Sequence, residues 1–168
     1  MKKLFLLVIL LVSVQAIMAQ SKIGIINTTE LLPLMSEYKI AEKELETYTL
    51  QQKSMMEKKY TDFGTLYGQF QEQYQKGILS PNDQKNKQEE LTKLEEELGT
   101  LEQQIQAEMA KKQEELLGPI QTKALDAIKA VAKANGYSHV LDSSVGLVLV
   151  FPDADNLLPL VKTHLGIL

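Results

Sequence analysis

Between residues 37 and 117 apolar side chains return every three or four positions, set among Lys, Glu, Gln and other polar residues. On the outgoing side Tyr60, Phe63, Tyr67, Phe70 and Tyr74 are spaced 3, 4, 3 and 4; on the returning side Leu91, Leu94, Leu98, Leu101 and Ile105 repeat the same spacing. Alternating threes and fours predict helices joined along an apolar seam, the pattern of a coiled coil. The break between them is Gly77-Ile78-Leu79-Ser80-Pro81-Asn82. Gly77 suits a helix C-cap, Ser80 an N-cap and Pro81 the first helical position. The prediction is a helical hairpin with arms of about 60 Å at 1.5 Å per residue.

Tyr38, Ala41, Leu45 and Tyr48 start the outgoing seam, which then steps by fours through polar Gln52 and Met56 to Tyr60. Consecutive fours are a stutter that locally unwinds a supercoil. The first turns of the returning helix, from Asn82 to Glu90, contain no apolar residue. Folding about residues 79 and 80 brings Tyr60 near Leu98 and Phe63 near Leu94, which predicts hairpin core for both, with Tyr67 beside Leu91. Phe70 and Tyr74 then face Glu89 and Lys85. Uncovered apolar groups near a tip point to an interaction surface. The expected surface is Tyr67, Phe70, Tyr74, Ile78 and Leu79. Gly64, Gly68 and Gly99 each cost about 1 kcal/mol against Ala inside a helix. Their presence implies either close helix packing or arms that bend. Gly118-Pro119 should kink or break the returning helix and is a hinge candidate.

Short β-branched and apolar runs appear at both ends. Lys22 to Asn27 reads as strand one, and Asn27-Thr28-Thr29-Glu30 as a capping box opening a short helix to Met35. Beyond Pro119 helix resumes until Asn135-Gly136. Tyr137 to Leu141 reads as strand two and Leu147 to Phe151 as strand three, a hairpin about Asp142 to Gly146. Asn156 to Leu165 reads as a closing helix. The fold class is α+β: a long antiparallel coiled-coil hairpin projecting from a small β-sheet body. The expected divisions are 1–19, a leader; 20–36, body; 37–117, arm; and 118–168, body. So small a core anchoring long arms implies oligomerisation, in which several copies join their exposed sheet edges.

Met1-Lys2-Lys3 followed by the apolar run Leu4 to Val12 reads as an export signal, cleaved after Ala19. Removing residues 1–19 takes away two lysines and leaves 16 lysines against 22 acids, a net charge of −6. There is no Arg, which with the acidic balance argues against nucleic acid. The same balance argues against lipopolysaccharide or an anionic membrane surface. There is no Cys, and the histidines are His139 and His164 alone, so neither a zinc site nor a nucleophile–base pair is assembled. No Gly-rich phosphate loop precedes a helix, so no nucleotide, cofactor or metal is expected, and no enzyme.

The order of elements resembles the Skp/OmpH family of periplasmic chaperones. The likeness is carried by Lys22 to Asn27 after a leader, the Lys/Glu/Gln-rich hairpin, Ile128 to Tyr137, Val140-Leu141-Asp142 and the closing helix. The resemblance implies a homotrimer whose three arms enclose a cavity. It also implies a periplasmic holdase that keeps unfolded outer-membrane proteins from aggregating without ATP. The alternative is a structural envelope spacer, which continuous apolar seams to the tip would favour.

Overall fold

The computed structural model describes residues 21–167. The expected leader, residues 1–19, lies outside the described residues. The chain forms two compact units: one holds the described residues up to Ser36 and those from Gln121 onward, the other is Glu37–Ile120.

The first unit is built on two short strands. Strand β1 (Ile23–Ile26) pairs in parallel with β2 (His139–Asp142), matching Ile23 with His139 and Ile26 with Asp142. Ile25 also bridges to Asn156, and the Leu157 amide donates to the Ile25 carbonyl at 2.8 Å. Helix α1 (Thr28–Leu31) follows β1 directly. Its N-cap Asn27 accepts from the Glu30 backbone amide through Oδ1, and its side-chain Nδ2 donates to the Glu30 carboxylate at 2.8 Å, so Glu30 meets the cap side chain where a capping box would have it meet the cap backbone amide. A 3-10 turn, Leu32–Leu34, begins with Pro33 in its first turn, where a missing donor costs nothing. The fully buried core is Ile26, Leu31, Met35, Leu157 and Val161, the last from helix α4 (Leu158–His164). Gly24 is demanded by packing: a Cβ there would lie 2.7 Å from Leu157 Cδ1 and 3.0 Å from the Tyr137 ring.

The expected third strand is absent. Residues 147–151 form no ladder, and Leu147, Leu149 and Val150 are 85%, 87% and 90% exposed. The cause lies just upstream. Asp142 accepts from the Ser144 amide at 2.9 Å and from the Thr28 amide at 3.2 Å, and Thr28 Oγ1 donates to its other oxygen. These bonds end β2 and turn the chain into a 3-10 turn, Ser143–Val145, closed by Gly146 at φ +72°. No hairpin returns along β2, and β2 pairs instead with β1.

The second unit is helical. Helix α2 is Ser36–Gln75, and helix α3 is Pro81–Ala134, which continues into the first unit. The turn between them follows the expected chemistry. Gly77 has φ +66°, and its amide and that of Ile78 donate back to Tyr74 and Gln73, a Schellman end. Ser80 Oγ accepts from the Asp83 amide and donates to the Asp83 carboxylate at 2.6 Å. Side-chain bonds join the two helices in antiparallel order: Lys112 to Glu44 at 2.6 Å, Tyr48 to Glu108 at 3.1 Å, and Tyr60 to Glu102. The break expected at Gly118-Pro119 is not present, because α3 runs through both residues as one helix. Proline disfavours helix in the residue before it by clashing with that residue's Cβ and amide. Gly118 has no Cβ, which removes part of that clash.

Candidate functional site

The aromatic ladder of α2 divides into two faces. Phe63 and Phe70 are half-buried, as are Leu66 and Gln73, whereas Tyr60, Tyr67 and Tyr74 are 46%, 48% and 55% exposed. The expectation that Tyr60 belongs to the hairpin core is therefore corrected. The inward line runs Phe63, Leu66, Phe70, Gln73, and the tyrosines form a second line at intervals of seven residues. The two lines share the same spacing rule, so the choice falls to chemistry. A phenol hydroxyl needs a partner when it is buried, and a leucine needs none. Tyr60 keeps its hydroxyl on the exposed Glu102 carboxylate, and Tyr67 accepts from Gln71 Nε2 at 3.0 Å. The Phe63 and Tyr67 rings stack with centroids 6.3 Å apart, and Phe70 and Tyr74 lie 6.1 Å apart, tilted by 46°.

At the tip the inward positions of α3 are polar. Gln84 and Lys87 are half-buried, and the first buried apolar residue is Leu91. Gln84 Nε2 donates to the Leu79 carbonyl at 3.1 Å, fastening the turn. Ile78 is 66% exposed and Leu79 half-buried. Of the five expected surface residues, then, Tyr67, Tyr74 and Ile78 present themselves to solvent, while Phe70 and Leu79 are partly turned in. The tip's charges pair locally, Lys76 with Glu72 and Lys85 with Glu89. Such exposed pairs contribute little to stability. Tyr60 was missed as a surface residue; the signal available was its hydroxyl among phenylalanines.

Nearer the start of α2, Tyr48 and Lys112 are held by carboxylates. Burial first, and then the hydrogen bond to Glu108, push the Tyr48 phenol above its usual value. Bonding to Glu102 raises the Tyr60 phenol, and bonding to Glu44 raises the Lys112 ammonium. All three tend to keep their protons, so these contacts persist across the neutral range. Between the helices a groove of about 910 Å³ is lined by Met55, Phe63, Leu66, Leu94, Leu98 and Leu101, with Lys59, Asp62, Lys93 and Glu97 beside them. Beyond their own helix backbone and chain neighbours, Gly64, Gly68 and Gly99 have no atom within 4 Å of where a Cβ would stand, so close helix packing does not account for them. Gly118 is half-buried and Pro119 exposed within α3.

Among the described residues no group of three or more His, Cys, Asp or Glu is placed to hold a metal ion. Nor is any described helix long and apolar enough to cross a membrane.

Residues 22–165 match the model of a family described as outer membrane protein (OmpH-like). No curated protein matches the chain. Among solved structures it is similar to the crystal structure of an OmpH-like outer membrane chaperone candidate from Caulobacter crescentus. The TM-score is 0.70 at 16% identity, covering 88% of this chain and 85% of that one. At that identity the likeness concerns the fold.

Proposed function

We propose that this chain, which belongs to the OmpH-like outer membrane protein family, is a periplasmic holdase chaperone for unfolded outer-membrane proteins. The observation that carries the reading is the bare tip. Tyr74 and Ile78 stand exposed where the facing positions of the return helix are Gln84 and Lys87. A spacer protein would gain stability by continuing its apolar seam to the end. A tip that leaves apolar groups uncovered suits many weak contacts with unfolded chains. Binding only the unfolded state lowers its free concentration by mass action and needs no nucleotide.

In this reading residues 1–19 are an export signal removed after Ala19. Residues 37–117 form a coiled-coil hairpin arm, and residues 20–36 with 118–168 form the body. Three copies assemble through their bodies, and the three arms enclose the client. The trimer is supported by the exposed Leu147, Leu149 and Val150, part of an apolar β-prone segment that pairs with no strand among the described residues. Gly118-Pro119 serves as the hinge that adjusts arm spread, and Tyr67, Phe70, Tyr74, Ile78 and Leu79 hold the client. The acidic balance argues against lipopolysaccharide as a partner.

Replacing Tyr74 and Ile78 by Ser tests the tip. Both are exposed, so thermal unfolding should stay within about 0.5 kcal/mol of wild type. Affinity for an unfolded barrel protein should fall at least about fivefold, the loss of one or two apolar contacts. Undiminished affinity in that variant would remove the tip from the holding surface. Residues 66–90 carry three lysines against four acids, so affinity should also depend weakly on salt.

A further inference from the structure

Tyr60, Tyr67 and Tyr74 form one line along α2, and Gly64 and Gly68 lie on the same face. Counting about 100° per residue places Tyr60, Gly64, Tyr67, Gly68, Gln71 and Tyr74 within roughly a third of the helix circumference. The charged residues of this stretch stand elsewhere: Asp62 is on roughly the opposite side, and Glu72 lies well off the line, bonded to Lys76. For about 21 Å, then, α2 itself places no charged residue on this face, in a protein whose residues are 24% charged; the one carboxylate that reaches it is Glu102 of α3, bonded to Tyr60 at one end. Both glycines open onto empty space and meet no neighbouring helix. Each costs helix stability without any return in packing. What they leave is a floor of bare peptide flanked by tyrosine rings. Glu102 and Gln71 engage the hydroxyls of Tyr60 and Tyr67, which fixes the rings and leaves ring surface open to solvent.

We propose that this face is a client-reading strip that selects extended, uncharged polypeptide segments bearing aromatic or apolar side chains. It extends the holding surface from the tip back to Tyr60, and it rests on the holdase reading given above. The strip commits to uncharged segments for an electrostatic reason. Glu102 at the Tyr60 end is already engaged by the phenol, and from Gly64 to Tyr74 a charged side chain laid on the strip would lose water and find no opposite charge. Tyrosine faces instead offer stacking and apolar contact, and the missing side chains at Gly64 and Gly68 let a neutral extended chain approach closely.

The chain contains no Trp, so tryptophan placed in a peptide reports binding without background. The probes are three 12-residue peptides, each with one Trp and one Phe: one neutral, one with two Lys added and one with two Glu added. The variants are Gly64→Leu, which fills the floor, and Tyr60→Ser with Tyr67→Ser, which removes the walls. Leu is the better helix former and its Cβ meets no neighbour at position 64, so Gly64→Leu should unfold no earlier than wild type, and thermal unfolding measured beside binding separates lost contact from lost fold. Wild type should bind the neutral peptide about tenfold more tightly than either charged one, and both variants should lose about that factor for the neutral peptide alone. Variants that bind the neutral peptide within twofold of wild type would overturn the strip, as would equal wild-type affinity for all three peptides. A change of oligomeric state in Gly64→Leu would also overturn it, assigning the face to contact between copies. Wild type that suppresses aggregation of an unfolded barrel while binding no neutral peptide would overturn the strip and leave the holdase reading standing. Failure in both assays would end both.

Discussion

Asp142 accepts bonds from Thr28 and Ser144 and so ties the end of β2 to the start of α1. Partial burial pushes its carboxyl upward, but the bonds from Thr28 and Ser144 outweigh that and hold it below the ordinary value of 3.8. A depressed carboxyl stabilises the fold above its unfolded value and loses that contribution as pH falls below it. Asp142→Asn should therefore cost about 1 kcal/mol at pH 7 and flatten the acid limb of stability below pH 4, as read by thermal unfolding. The buried oxygen of Gln52 has no hydrogen-bond partner, at the point where the seam steps by fours. An unpaired buried acceptor costs about 1–3 kcal/mol, so Gln52→Leu should stabilise the second unit by part of that. Gly64→Ala with Gly68→Ala should add up to about 2 kcal/mol and slow hydrogen exchange in residues 56–76, because nothing obstructs either methyl. Unchanged or faster exchange would contradict the view that these glycines loosen the helix.

At the scale of elements, what was legible followed local chemistry. The turn at Gly77 and Ser80, the N-cap at Asn27 and the two long helices all formed as their residues require. What was not legible depended on a choice between equivalent patterns or on a partner. The aromatic ladder fits two faces of one helix equally well by spacing, and only the tyrosine hydroxyls separate them. Residues 147–151 have the composition of a strand, but a strand exists only with a neighbour, and Asp142 turns the chain away from the one at hand. Pro119 lies inside α3 without ending it, and Gly118 before it relieves part of the usual clash. That position still lacks an amide donor, so the Glu115 carbonyl loses its usual partner. Pro119→Ala should therefore stiffen α3 locally, with slower exchange in residues 115–123 and, if the hinge operates, a narrower range of client sizes held. An unchanged exchange profile would discount the hinge.

For the whole molecule, the chain belongs to the OmpH-like family, and the assembly proposed above rests on the exposed Leu147, Leu149 and Val150. Charges placed at Leu149 and Val150 should shift sedimentation equilibrium from trimer to monomer at micromolar concentration without unfolding either unit, since both side chains are already exposed. A wild-type monomer under the same conditions would contradict the assembly proposed here. The central claim is that the assembled protein holds unfolded outer-membrane chains. Light scattering of an unfolded outer-membrane barrel diluted from denaturant, with and without the purified protein, tests it most directly. The account predicts that scattering is abolished at about one trimer per client, without nucleotide and with little change between low and high salt. Full aggregation at that ratio would contradict it.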